Sequence, residues 1–163
     1  MRILILFIFL TTNTFANELP DFKNLVVHKI PKTYDNVIFF DGADEEINIK
    51  NLNGQLTILN FWATWCEPCK EEMPSLNRLQ ANQKLKNLKI YPINIGKENL
   101  KKVKRFFTEL DINNLEPYFD NPSTLAKTFS LRGLPTTILL NSKGEEFARI
   151  IGCLLYTSPS PRD

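Results

Sequence analysis

Leu56-Thr57-Ile58-Leu59-Asn60-Phe61-Trp62-Ala63-Thr64-Trp65-Cys66-Glu67-Pro68-Cys69-Lys70-Glu71-Glu72-Met73-Pro74 reads as a buried strand that runs directly into a cysteine pair and then a helix. Residues 56–62 form a nearly continuous apolar run, the pattern of a strand covered on both faces. Beyond the cysteines, Met73, Leu76 and Leu79 recur every three residues, as one face of a helix does, with Pro74 expected to bend it. A strand that feeds a helix in this way belongs to an α/β or α+β domain.

The spacing of the two cysteines carries chemistry. Three positions apart on a first helical turn, Cys66 and Cys69 lie within bridging distance, so a disulfide between them opens and closes without refolding. At the helix tip, free backbone N–H groups and the positive end of the helix dipole stabilise a thiolate on Cys66, the attacking form in exchange. Cys69, one turn further in, is expected to be the less accessible, resolving thiol. Cys66 attacks a partner disulfide, a mixed disulfide forms, and Cys69 displaces the reduced partner. A structural disulfide and half of a metal site are the other readings, but no second Cys pair or nearby His offers the missing ligands.

Outward from this centre, residues 36–40 and 46–50 flank Asp41-Gly42 as an N-terminal hairpin, and residues 88–95 form the next strand. Leu100, Val103, Phe106, Phe107 and Leu110 mark an amphipathic helix. Asn121-Pro122 supplies a cap and first-turn proline for a shorter helix ending near Phe129. Residues 136–140 and 146–151 surround Asn141-Ser142-Lys143-Gly144 as a second hairpin.

The chain has 163 residues, which fits one domain. Its 20 basic and 18 acidic side chains nearly balance, so nucleic acid and anionic membrane surfaces are not expected partners. After Met1 and Arg2, the apolar run Ile3 to Leu10 and the Thr14-Phe15-Ala16 ending read as residues 1–16 of a secretory signal, or else an uncleaved anchor. Both place the body, residues 17–152, in a periplasmic or otherwise extracytoplasmic space where disulfides persist. Residues 153–163, Cys153 to Asp163, shift abruptly to a Ser/Pro style and resemble a translated sequencing adapter. They are read as a non-native tail without site residues, and the helix expected after the last strand is read as missing.

From Asn60 to Pro74 the sequence resembles the thioredoxin superfamily, and within it the TlpA/ResA-like extracytoplasmic branch. The likeness spans about residues 35 to 152. It includes Gly133-Leu134-Pro135-Thr136-Thr137, the Lys143-Gly144 turn and a helix-and-strand insertion near residues 98 to 119. It implies a thioredoxin-like α/β fold with a central mixed sheet of four or five strands flanked by helices. It assigns Pro135 as a cis-proline facing the cysteines, with the Leu134 backbone free to pair with an extended substrate. Asn60 stands where many thioredoxins bury an acid, so the resemblance passes proton management to Glu72, three residues after Cys69, as a modulator of thiol pKa. Trp65 is expected to shield the sulfurs and shape the contact surface. Glu67 and Pro68, between the cysteines, tune the pair: the Glu67 charge opposes a thiolate on Cys66, with Lys70 too flexible and exposed to offset it, which points to a reducing couple.

The expected activity is thiol:disulfide exchange, mainly the reduction of protein disulfides. The branch implies apocytochrome c haem-site cysteines as a substrate and a membrane thiol as electron donor. No cofactor beyond the Cys66–Cys69 redox disulfide and no metal is expected, and the protein is read as a monomer. Thiol peroxidase chemistry is disfavoured because its motif needs Pro at Leu59 and Ser or Thr at Ala63. The non-enzymatic alternative, a copper- or haem-handling module, needs further soft or imidazole ligands. The one histidine, His28, is expected at the surface.

Overall fold

In the computed structural model, residues 24–155 are described, apart from Asn53 and Pro122. The leader at residues 1–16 and the tail from residue 156 lie outside the described residues. Along the chain the elements are β1 (Leu25–Lys32), β2 (Ile38–Phe40), β3 (Glu46–Asn48), β4 (Leu56–Trp62), α1 (Glu67–Gln80), β5 (Leu88–Asn94), α2 (Leu100–Glu109), β6 (Tyr118–Phe119), α3 (Leu125–Thr128), β7 (Thr136–Leu140) and β8 (Glu146–Ile151).

These strands form one mixed sheet in the order β1-β8-β7-β4-β5-β6-β2-β3. β4 sits inside it, parallel to β5 on one side and antiparallel to β7 on the other. Apart from Leu56 at its start, every residue of β4 is buried, which is why its apolar run does not alternate. The sheet is wider than the four or five strands that the resemblance implied. The β2–β3 hairpin adds to β6 at one edge, and β1 adds to β8 at the other.

Each face of the sheet has its own core. Ile58 and Trp62 of β4 and Ile90 of β5 pack with Cys66, Cys69, Met73 and Leu76 of the α1 side and with Val103, Phe106 and Phe107 of α2. The Trp62 ring lies 4.8 Å from that of Phe106 and 5.6 Å from that of Phe107. Burying each such phenyl ring is worth roughly 1.5–3 kcal/mol, so the aromatic stripe of α2 holds the inserted segment against the strand that leads to the cysteines. On the other face, Leu59 and Phe61 of β4 pack with Tyr91, Ile93, Phe39, Leu125 and Phe129. Period-two alternation in β4 thus feeds two cores from one strand.

Three local expectations change. The short helix α3 starts at Leu125 rather than at Asn121-Pro122. Its first N–H groups are met by Asp120, whose carboxylate accepts from Thr124 N at 2.9 Å and Leu125 N at 3.0 Å. β1 was not foreseen, because Leu25-Val26-Val27-His28-Lys29-Ile30-Pro31-Lys32 shows neither alternation nor a turn partner nearby in sequence. His28 is not a surface residue: its side chain is 11% exposed and its Nε2 lies 2.6 Å from the buried Glu146 carboxylate. Tyr34 also bonds to Glu146, and Arg149 binds the same carboxylate through Nε at 2.6 Å and Nη2 at 2.7 Å. Burial raises the Glu146 carboxyl, but hydrogen bonds from Arg149, Tyr34 and His28 outweigh it and hold the group below its ordinary range.

Candidate active site

Strand β4 delivers the chain to its carboxyl end at Trp62, in the middle of the sheet, and Ala63-Thr64-Trp65 turn it into α1. Cys66 is the N-cap of α1, with extended backbone, and its N–H donates to the Ala63 carbonyl at 3.2 Å. Its own carbonyl accepts from Cys69 N at 3.1 Å and Lys70 N at 3.2 Å, so the helix starts within the cysteine motif. Pro68 occupies the first turn, where a missing N–H costs least. The helix continues through Pro74, whose ring leaves the Lys70 carbonyl without its usual helical donor.

Cys66 and Cys69 are joined in a disulfide with their Cα atoms 5.3 Å apart. Cys69 is fully buried and Cys66 is 5% exposed. The order of accessibility is the expected one, but the first sulfur has a narrower opening than a free helix tip would give. Trp65 stands 67% exposed beside it. It presents an apolar ring to solvent next to the disulfide, a surface suited to another polypeptide.

Beneath the pair lies a buried polar cluster. Glu72, three residues after Cys69 on the same helix, is fully buried. Its Oε1 accepts from Asn60 Nδ2 at 2.7 Å, and the same amide donates to Thr137 Oγ1 at 3.0 Å. Its Oε2 accepts from Leu154 N at 3.0 Å. Desolvation raises the Glu72 carboxyl above its ordinary value, against lowering contributions from Leu154, Asn60 and Cys153. Glu72 is therefore no solvated helix carboxylate. Cys153, assigned to the tail and given no part in the site, is buried and bonds to Glu72, and Leu154 packs on the core that holds the cysteines.

The Leu134–Pro135 peptide bond is cis, as expected. Pro135 is buried and its carbonyl accepts from Gly152 N at 2.8 Å, while Leu134 is half-buried against the cluster that contains Cys66 and Cys69. Thr136, next in line, pairs with Phe61 of β4. The loop is thus fixed to the strand that carries the cysteines.

Glu67 does not act alone. Its Oε2 lies 2.9 Å from Lys70 Nζ, an exposed pair that offsets the Glu67 charge beside Cys66. An exposed pair of this kind is worth about 0–1 kcal/mol, so it softens the Glu67 charge without removing it. Sequence reading missed a further residue, Glu98, whose carboxylate accepts from the Thr64 N–H at 2.9 Å and from the Thr64 hydroxyl. It lies 34 positions along the chain, and no motif marks it. No described helix is long and apolar enough to cross a membrane.

The profile of the AhpC/TSA family matches residues 15–145. The thiol-disulfide oxidoreductase ResA of Bacillus cereus is 32% identical over 124 residues, which cover 76% of this chain and 70% of ResA. The ResA of Bacillus subtilis is 29% identical over 119 residues, 73% of this chain and 65% of that protein. Among solved structures, the crystal structure of StoA from Bacillus subtilis superposes with a TM-score of 0.63 at 30% identity, covering 76% of this chain and 92% of StoA.

Proposed function

Since the chain belongs to the AhpC/TSA family and is a thiol-disulfide oxidoreductase of the ResA type, exchanging disulfides through Cys66 and Cys69, we propose that it works as an exported reductant of protein disulfides. The first substrate class is the haem-attachment cysteine pair of apocytochrome c, and the electrons come from a membrane thiol donor. The redox group of this cycle is the Cys66–Cys69 disulfide itself.

One observation carries the direction. Glu72 is fully buried, one helical turn beyond Cys69 on the same face. A carboxylate there disfavours a thiolate on Cys69, and a group that destabilises the reduced, ionised pair favours the disulfide. A couple whose disulfide is favoured gives up its electrons readily. In the cycle, the Cys66 thiolate attacks a substrate disulfide and releases one substrate thiolate. Cys69 then loses its proton and attacks Cys66 Sγ, which frees the second substrate sulfur and leaves the enzyme oxidised. The exposed Trp65 and the fixed Leu134–Pro135 loop supply the surface on which a partner chain rests beside the nearly closed sulfur.

The test is equilibration of Cys66 and Cys69 in glutathione and dithiothreitol buffers, followed by reduction of insulin and of an oxidised apocytochrome haem-site peptide, with Cys66→Ser as control. A potential nearer roughly −270 mV than −120 mV is expected. A value at the strongly oxidising end overturns the reductant reading, and tight stoichiometric copper uptake without exchange favours a binding module.

A further inference from the structure

The β5–α2 connection is built against the turn that carries the cysteines. Glu98, in that connection, has a side chain only 4% exposed. Its carboxylate gathers donors from three segments: Thr64 N at 2.9 Å and the Thr64 hydroxyl from the active-site turn, Asn94 Nδ2 at 2.7 Å from the end of β5, and Lys102 Nζ at 2.6 Å from α2. A second feature makes this approach possible. A Cβ placed on Gly96 would meet the Ala63 Cβ and Glu98 Oε2, each at 3.0 Å, so any larger residue here would have to push the Ala63 or Glu98 side chain aside. Asn94 Oδ1 accepts from Gly96 N at 3.1 Å, and Ile95 N donates to the Trp62 carbonyl at 3.0 Å, so the start of the loop is fastened to the ends of β5 and β4.

Thr64 is two residues before Cys66, and Ala63 supplies the carbonyl that receives the Cys66 N–H. We propose that Glu98 is a positioning residue for exchange: by holding Thr64 it fixes the Ala63–Cys66 turn, and with it the placement of Cys66 Sγ against Cys69 and of the Trp65 ring against a partner. Its effect runs through pre-organisation. A turn that is free to move lowers the effective concentration of one sulfur at the other, which weakens the intramolecular disulfide and misplaces the nucleophile. The β5–α2 connection thereby acts on the cysteine pair through Thr64, outside the motif itself.

The experiment uses Glu98→Ala, Glu98→Gln and Thr64→Val in the full chain. It measures the glutathione equilibrium of the cysteine pair, kcat/KM for insulin reduction and the melting temperature. Glu98→Ala should lower kcat/KM about tenfold or more. It should also lower the equilibrium constant for closing the disulfide with glutathione disulfide about tenfold, an upward move of about 30 mV for a two-electron couple. Glu98→Gln keeps the length and one acceptor oxygen and should fall between Glu98→Ala and the parent. Thr64→Val removes one bond and keeps the Thr64 N–H contact, so it reports on the same strut should Glu98→Ala fail to fold, with a shift of the same sign. Glu146→Gln, in the buried cluster at the opposite end of the β4–β7 ladder, is the stability-matched comparison and should leave the potential in place. An unchanged potential and rate in the Glu98 variants, or losses no larger than those of Glu146→Gln at equal melting temperature, overturn the proposal.

Discussion

The Glu72 carboxylate receives the Asn60 amide at 2.7 Å with both side chains fully buried, so the acid beneath the cysteines is paired with a neutral donor and, among the described residues, with no cation. An amide donor favours the charged form by much less than a guanidinium or ammonium does, and desolvation prevails. The folded-state pKa is therefore raised, and its contribution to stability is complete at low pH and declines as pH rises through that value. Urea titrations of the parent and Glu72→Gln from pH 4 to pH 8 should show the variant gaining on the parent as pH increases, by about 1.4 kcal/mol for each unit of elevation. A constant offset between the two curves would show that Glu72 does not titrate in this range.

Exposure of 5% for Cys66 against none for Cys69 orders their reactivity. In the reduced protein, brief alkylation followed by peptide mass mapping should mark Cys66 well before Cys69 and Cys153. Cys66→Ser should abolish insulin reduction. Cys69→Ser should instead accumulate mixed disulfides with substrate, visible as higher-mass species without reductant. Equal labelling of Cys66 and Cys69 would contradict the assignment of attacking and resolving roles.

Glu98 titrates on the opposite side of its ordinary value from Glu72. Burial raises it, but hydrogen bonds from Lys102, from the Thr64 side chain and backbone and from Asn94 outweigh that and bring it to about 2. A lowered carboxylate contributes stability above the unfolded pKa and loses it as pH falls through the folded one. Between pH 5 and pH 2 the parent should lose about 2 kcal/mol that Glu98→Gln does not lose, after a discount for the half-exposed Lys102. Denaturant midpoints at pH 5 and pH 2.5 measure the difference.

Arg149 is the cation that answers the fully buried Glu146. Arg149→Met leaves that carboxylate with Tyr34 and His28 alone and should cost about 3–5 kcal/mol in urea unfolding at pH 7. Replacing both partners by apolar residues, Glu146→Leu with Arg149→Met, should cost less than the single change. A single change within about 0.5 kcal/mol of the parent would show that the Glu146–Arg149 pair within β8 adds little to stability.

Much of the fold could be read from the chain because its strongest signals are local. The run at β4, the heptad-like stripe of α2 and the turn between β7 and β8 each declare themselves within a dozen residues, and their boundaries agree with the structure to within a residue or so. The cysteine pair was legible for the same reason, since three positions of spacing contain its geometry. What escaped was non-local. β1 is a strand only because β8, 125 positions from Leu25 to Ile150, offers it an edge. Glu98 looks like any carboxylate before an N-cap until the fold brings Thr64 to it, and His28 looks like a surface residue until Glu146 arrives. Lys70, read from sequence as too flexible and exposed to offset Glu67, lies 2.9 Å from it, a contact that spacing alone permits but does not fix.

The strand that leads into the cysteines gets its neighbours from distant parts of the chain: Phe61 and Thr136, opposite each other on β4 and β7, are 75 positions apart. The nucleophile-bearing turn, by contrast, is closed by a local bond from Cys66 N to the Ala63 carbonyl and then braced by Glu98. Loop-closure entropy makes distant pairings slow to form relative to local ones. A variant that weakens the β4–β7 ladder should therefore loosen the Leu134–Pro135 loop beside the cysteines while the motif turn still forms, yielding an enzyme that exchanges disulfides but discriminates less among partners.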